Sequence, residues 1–361
     1  MGIVGIAGTM CLASSRGFAE ESFSVLPERL KPDQGDFQVE DAGWQWQPIE
    51  GTFCRDGSQA GYFVNLSETS NELLIYLEGG GACFNGQTCG LNQAYVNPDE
   101  LPNGTGILSG SDERNPVREW DKVYVPYCTG DVMAGNKESV RVTSRYSSEN
   151  FVGYRNMSRF LERLTVDFGG SERILLAGES AGGFGAIYNF DQVQTAFSSI
   201  PVYLLDDSGI PFTDSYLAPC LQQRWRDLWD LNETLPMDCD DCRGANGGGI
   251  AKYFEYLEAK YPGQPFGFIS SVADSTIRLF YGYGSNNCSV LFPYMSASQF
   301  ENGLFEIRDR YINGASVGFF TSGSEHTFLT NERYFNVEED GLRVYEWLDA
   351  FLNDQGRSVN P

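Results

Sequence analysis

Apolar residues in this chain gather into short unbroken runs, and the stretches between them carry helical or turn-like patterns. Leu73-Leu74-Ile75-Tyr76-Leu77 is continuous rather than alternating, as a strand covered on both faces must be. Runs of strand length recur at 122–125, 173–177, 202–205, 266–270 and 317–321. Over 156–168, Met157, Phe160, Leu161 and Leu164 recur at helical spacing and predict an amphipathic helix. Leu342, Tyr345, Leu348 and Phe351 predict a second one that closes the chain. Residues 44–66 read as a hairpin of short strands, and 84–118, rich in Asn, Gly, Pro and Asp, as an irregular excursion over the surface. Strands alternating with helices predict an α/β three-layer sandwich, with a mostly parallel central sheet and helices on both faces. No repeat and no Pro/Ser linker interrupts the alternation, so one domain is expected over about 40–355. Residues 214–262, helical or loop-like, are expected to form a cap-like insertion near the site.

Composition narrows the function classes. With 41% hydrophobic and 14% aromatic residues, 361 residues can fill a substantial core. The net charge of −24 argues against nucleic acid as a partner, because phosphate binding needs clustered Lys and Arg. It argues equally against an anionic membrane surface. No apolar run reaches the ~18 residues of a transmembrane helix, so no integral membrane segment is expected. Gly2 to Ala13 is small and apolar, and Gly17-Phe18-Ala19 resembles a cleavage site, but the positive start of a secretory signal is missing. Residues 1–22 are therefore read as a poor or truncated signal segment, with a disordered N-terminus as the alternative. Of nine cysteines, Cys11 would leave with the signal. The remaining Cys54, Cys83, Cys89, Cys128, Cys220, Cys239, Cys242 and Cys288 are even in number, which suits disulfides and a secreted or otherwise extracytoplasmic location. Cys239-Asp240-Asp241-Cys242 is a C-x-x-C, but no second pair and no spare histidine could complete a zinc site, so no metal is expected. N-x-S/T sequons begin at Asn65, Asn103, Asn156, Asn232 and Asn287.

The candidate chemistry lies at Gly178-Glu179-Ser180-Ala181-Gly182, a G-x-S-x-G nucleophile elbow that follows the apolar run 174–177 and opens a helix-like stretch. A chance match would lack this context of strand before and helix after. The sharp turn lifts the Ser180 hydroxyl to a helix N-terminus, where backbone N–H groups and the dipole favour an oxyanion. His326 is the only histidine in the chain and follows the last strand-like run. The order Ser then His fits the α/β-hydrolase arrangement. Gly79-Gly80-Gly81 ends an earlier strand. There the Gly80 and Gly81 backbone, with the Ala181 N–H, can form an oxyanion hole. The acid must fall between Ser180 and His326. Asp274 is favoured by its later position, and Asp206 and Asp207, after the strand next to the elbow, compete with it.

Four blocks are similar to the pectinacetylesterase and Notum family of α/β-hydrolases: Tyr76-Leu77-Glu78-Gly79-Gly80-Gly81-Ala82-Cys83-Phe84-Asn85 with Cys89; Gly104-Thr105-Gly106-Ile107-Leu108-Ser109; Val125-Pro126-Tyr127-Cys128-Thr129-Gly130-Asp131-Val132 with Gly135; and Leu175 to Gly183 around the elbow with Asp207-Ser208-Gly209. The resemblance implies Ser180 as nucleophile, Asp274 in its Ala-Asp-Ser-Thr context as acid, and His326 as base. It also implies Cys83–Cys89 and Cys54–Cys128 disulfides, and it leaves three possible pairings of Cys220, Cys239, Cys242 and Cys288. Ala82, Asn85, Asp131 and Asp207 become pocket candidates. Alanine at 82 stands where bulky aromatics are common in the family. The family removes acyl groups from oxygen esters: plant members take acetyl groups from pectin, and Notum takes an unsaturated fatty acyl group from a signalling protein. The first expectation is therefore a secreted serine esterase that deacetylates an O-acetylated polysaccharide and needs no metal or organic cofactor. The alternatives are a carboxylesterase for lipid-acyl or small esters, marked by a deep apolar pocket under 214–262, and an inactive hydrolase fold used for binding.

Overall fold

The computed structural model describes Gly2 and residues 43–361 except 68, 291 and 292. The expected signal segment and Cys11 lie outside the described residues. Strands β1 (Gln45–Phe53) and β2 (Gln59–Asn65) form the expected hairpin. They are followed by β3 (Glu72–Leu77), β4 (Asp121–Val125), β5 (Arg173–Glu179), β6 (Val202–Asp207), β7 (Phe266–Ser271) and β8 (Val317–Thr321). Among the described residues these make one eight-stranded sheet in the order β1-β2-β4-β3-β5-β6-β7-β8. The pairs β1/β2 and β2/β4 are antiparallel and all later pairs are parallel.

The unbroken apolar runs have a direct cause. In β3, Leu73, Ile75 and Leu77 enter one core cluster while Leu74 and Tyr76 enter another on the opposite face. Side chains alternate across a strand, so a strand buried on both faces must be apolar at every position. The first core lies under helices α1 (Gly153–Phe168), α2 (Ala181–Ala196), α3 (Pro219–Trp229), α4 (Lys252–Lys260), α5 (Ser275–Gly282) and α6 (Ala297–Tyr311). The second lies under α7 (Val344–Leu352) and the turn at Gly106–Leu108.

Two helices were not legible as periodic runs, α5 and α6. The N-terminus of α6 nevertheless carries a signal: Ser296 and Gln299 form a reciprocal capping box. The excursion 84–118 contains a short helix, Gly86–Leu91, and the closing helix starts at Val344, because Leu342–Arg343 pairs as a two-residue strand. Within 214–262, α3 starts on Pro219, which supplies the fixed φ of a first helical residue. The Arg226 guanidinium gathers the carbonyls of Cys242, Gly247 and Gly248 and so pins the loop that follows. All eight described cysteines are paired: Cys54–Cys128, Cys83–Cys89, Cys220–Cys288 and Cys239–Cys242.

Candidate active site

The strand β5 ends at Glu179, and α2 starts at Ala181, so Ser180 takes the whole turn at φ 54°, ψ −118°. A β-carbon on Gly178 would stand 2.1 Å from the Gly182 carbonyl oxygen, and one on Gly182 would stand 2.0 Å from that of Leu77. Both obstacles are backbone, so only glycine fits either side of the serine. The Ser180 N–H donates to the Asp207 carbonyl at 2.7 Å, which ties the elbow to the end of β6.

Next to the elbow, β3 runs into the glycine turn. Gly81 has φ 76°, and the Gly80 carbonyl accepts from Asn92 Nδ2 at 2.9 Å, which turns the peptide planes of the loop. Among the described residues the N–H groups of Gly80 and Gly81 meet no protein acceptor, and Ala181 N–H is a free first-turn donor of α2. Gly81, Ala181 and Ser180 line one pocket.

Asp274 N-caps α5. Its Oδ1 accepts the N–H groups of Thr276 and Ile277, both at 2.9 Å, and its Oδ2 lies 2.7 Å from His326 Nδ1. The carboxylate is fully buried, while the imidazole keeps 19% of its surface. Burial alone would disfavour the imidazolium. The Asp274 hydrogen bond and charge, aided by Asp207 and Glu179, outweigh that and hold the His326 pKa above its ordinary value. Asp207, the competitor, does not bond to His326. It accepts the N–H groups of Phe328 and Leu329 at 2.6 and 2.9 Å and the Ser208 hydroxyl at 2.8 Å. Burial and the nearby Glu179 charge push its carboxyl up to about 7 against those three hydrogen bonds. Asp206 faces the other way, against Gly183 and Gly209, where burial and the Asp207 charge keep its carboxyl well above the ordinary range. No hydrogen bond joins His326 to the Ser180 hydroxyl among the described residues.

The pocket beside Ser180 is walled by aromatic and aliphatic side chains. Phe184 and Tyr188 come from α2, Trp225 and Trp229 from α3, and Ile277, Phe280 and Tyr281 from α5. Val132, Leu231 and Ala82 complete the wall. Trp225 and Trp229 stack at 5.5 Å, and the Trp229 indole N–H donates to the Cys83 carbonyl at 3.0 Å. That bond ties the pocket wall to the disulfide after the glycine turn.

Of the four pocket candidates read from the sequence, the structure places only Ala82 in this wall. Asn85 instead caps the helix Gly86–Leu91, its Oδ1 accepting from Gln87 and Thr88 N–H. Asp131 is buried and clamps a loop, accepting from the Thr129 hydroxyl and the N–H groups of Met133, Gly135 and Gly153. Asp207 anchors the histidine loop. All three carboxylate or amide groups are satisfied by backbone N–H groups, with a hydroxyl added at Asp131 and Asp207, and so are spent on structure rather than on the pocket. Sequence reasoning missed the aromatic wall, because its members come from three helices with no shared spacing. It also missed Glu179, whose Oε2 accepts the Thr330 hydroxyl at 2.7 Å.

The sheet, the strained elbow and the buried Asp274–His326 pair define the class as the α/β-hydrolase fold. The chain belongs to the pectinacetylesterase family, whose family model, described as Pectinacetylesterase, matches residues 45–272. Among curated relatives, the palmitoleoyl-protein carboxylesterase notum2 of Xenopus laevis is 34% identical over 172 residues, which is 43% of this chain and 34% of that protein. Palmitoleoyl-protein carboxylesterase NOTUM of Mus musculus is 36% identical over 175 residues, 43% of this chain and 33% of that protein. This chain thus spans about a third of the length of the curated relatives it matches. A solved structure of the Wnt deacylase Notum from Drosophila superposes with a TM-score of 0.68 at 20% identity, covering 88% of this chain and 96% of that chain. At that identity the superposition speaks to the fold alone.

Proposed function

We propose that this protein is a secreted serine carboxylic-ester hydrolase acting on esters with an apolar acyl chain. It would use one catalytic domain over about 40–355, with 214–262 as its cap. The observation that carries the reading is that Ser180 lines an apolar, aromatic-walled pocket partly built by Trp225, Trp229 and Leu231 from that cap. This is the signature expected of an acyl-chain pocket. The curated relatives are palmitoleoyl-protein carboxylesterases, which supports the same acyl class.

In this reading the Ser180 oxygen attacks the ester carbonyl while His326 Nε2 takes the serine proton. The N–H groups of Gly80, Gly81 and Ala181 hold the tetrahedral oxyanion. Losing one such donor typically costs about 2.7–4 kcal/mol of transition-state stabilisation. Asp274 holds the Nδ1–H tautomer and stabilises the imidazolium. The imidazolium then protonates the leaving alcohol, and an acyl-serine remains. Water, deprotonated by His326, adds to it and releases the carboxylic acid. The hydrogen bond from the Ser180 hydroxyl to His326, not made in the free protein, is of the kind that forms when substrate binds. Disulfides at all eight described cysteines support export to an oxidising compartment.

The description of the family model favours a second reading, removal of acetyl groups from an O-acetylated polysaccharide. The net charge of −24 opposes a pectin polyanion as the substrate. Hydrolysis of p-nitrophenyl esters from acetate to palmitate, with acetate release from acetylated pectin and xylan in parallel, separates the two. A kcat/KM that rises with chain length is expected. A clear preference for acetate on both probe types transfers the assignment to the second reading. Ser180→Ala and His326→Ala are each expected to keep no more than a few per cent of the wild-type kcat/KM while remaining folded. A fluorophosphonate that fails to label Ser180 would leave only a binding role.

A further inference from the structure

We propose that Asp207 is a positioning residue that sets the separation of the Ser180 nucleophile from the His326 base. The proposal rests on the function proposed above. Asp207 is fully buried at the end of β6 and reaches both partners at once. Its backbone carbonyl accepts the Ser180 N–H at 2.7 Å. Its carboxylate Oδ2 accepts the N–H groups of Phe328 and Leu329, at 2.6 and 2.9 Å, two and three residues past the histidine. The nucleophile and the base loop therefore hang from opposite ends of a single residue.

The neighbouring contacts repeat the pattern. The Ser208 hydroxyl donates to Asp207 Oδ1 and accepts the Thr327 N–H at 3.3 Å, so three consecutive N–H groups of the histidine loop are held from 207–208. Thr327 sits at φ 60°, a left-handed backbone that a threonine adopts only when its surroundings impose it. Glu179, the residue before the nucleophile, holds the Thr330 hydroxyl. From the outer side, the Ile107 N–H donates to the Leu329 carbonyl at 2.7 Å, and the Thr105 hydroxyl to that of Thr330 at 2.6 Å. The loop is thus bonded on two sides. Only the inner side, through Asp207, Ser208 and Glu179, links it to the elbow.

Asp207 does not line the pocket and makes no hydrogen bond to His326, so its loss should leave substrate binding and the Asp274–His326 bond in place, with the imidazole pKa lowered only by the loss of one nearby charge. At a pH well above the His326 pKa, where that charge effect is silent, what changes is where the imidazole stands relative to Ser180. A misplacement of about 1 Å can cost on the order of 10²-fold in rate. An asparagine at 207 keeps one oxygen that can accept both N–H groups, so it should restore most of what alanine loses.

The test measures kcat, KM and the rate of fluorophosphonate labelling of Ser180 in the wild type, Asp207→Ala, Asp207→Asn and Thr330→Val, with circular dichroism on each. Asp207→Ala is expected to lower kcat by about 10- to 100-fold with KM within about twofold, and Asp207→Asn to recover to within about fivefold of wild type. Labelling should slow in parallel with kcat. Three results overturn the proposal: a folded Asp207→Ala with wild-type kcat, equal losses in the Ala and Asn variants, or a loss confined to KM. If Asp207→Ala does not fold, the double variant Asp207→Asn/Thr330→Val weakens both inner links without emptying the site. A lowered kcat at unchanged KM in it supports the proposal, and a wild-type kcat overturns it. A wild-type protein whose ester hydrolysis is absent, or survives Ser180→Ala, sinks the functional reading and the inference with it. An active, Ser180-dependent enzyme with indifferent variants sinks the inference alone.

Discussion

Asp274 divides its carboxylate between a helix and an imidazole. Oδ1 satisfies two first-turn donors of α5, and Oδ2 is left with a fixed direction toward His326 Nδ1. Asp274→Asn can keep the cap through its amide oxygen, but it would turn an N–H₂ group toward the imidazole and favour the wrong tautomer. The expected loss is on the order of 10⁴ in kcat, far more than for Asp207→Asn, measured on one activated ester with both proteins shown to be folded. A larger loss at Asp207 would make it the orienting acid. The pH dependence follows from His326. The base must be neutral to accept the serine proton, and its pKa is held above the ordinary histidine value of 6.5. Activity should therefore fall, as pH decreases, through a midpoint above 6.5 in the kcat/KM profile. A midpoint at or below that value would show that burial outweighs Asp274. In the sequence, His326 was legible because no other histidine exists. Asp274, Asp206 and Asp207 each followed a strand-like run; the later position and the family resemblance favoured Asp274, and its 2.7 Å approach to His326 Nδ1 agrees.

At the scale of elements, the pocket depends on how α3 is held. Cys220, its second residue, is bonded to Cys288 across 68 residues of chain, and Trp229 near its end is hydrogen-bonded to Cys83. Replacing Cys220 and Cys288 together by serine is expected to lower stability by about 2–4 kcal/mol in urea unfolding. The loosened α3 carries Trp225 and Trp229, so hydrolysis of long-chain esters should drop more than that of acetate. An unchanged chain-length profile would mean that the pocket wall does not need this tether. The strands around the elbow were legible to within two residues, because double-sided burial makes them apolar at every position. The helix α5 was not: its eight residues present Ile277, Phe280 and Tyr281 to the pocket and leave Leu279 exposed, too short a stretch for a period to emerge.

The whole molecule concentrates buried acid behind the elbow. Glu78, Glu179, Asp206 and Asp207 all have carboxyl pKa values raised by burial, Asp207 from 3.8 to about 7. A raised carboxyl pKa means that the folded state keeps protons which the unfolded chain releases. Stability therefore falls as pH rises between the unfolded and folded values, here from 3.8 to about 7 for Asp207. The raised His326 pKa acts in the same sense, since its contribution is lost as pH rises through the folded value. A net charge of −24 adds self-repulsion that acidification relieves. The melting temperature should thus be higher near about pH 5.5 than near about pH 7.5, with the difference reduced in Asp207→Asn. A protein more stable at the higher pH would contradict the burial of these groups as charged-form penalties.

By itself the sequence determined the parts that depend on neighbours along the chain. Continuous apolar runs specify strands buried on both faces, the Gly178 and Gly182 positions permit the turn at Ser180, and a lone histidine leaves one candidate base. Tertiary structure decided whatever depends on residues far apart. It put Asp274, already favoured by its position and 52 residues from His326, against the imidazole and turned Asp206 and Asp207 elsewhere. It paired Cys220 with Cys288 and Cys239 with Cys242, where the sequence left three arrangements open. It turned Asn85 and Asp131 from pocket candidates into backbone clamps, and it assembled the apolar pocket from three helices. The physical reason is one of range: periodicity and turn geometry are written in adjacent residues, whereas the distance between two side chains is set by the packing of the sheet and helices that carry them.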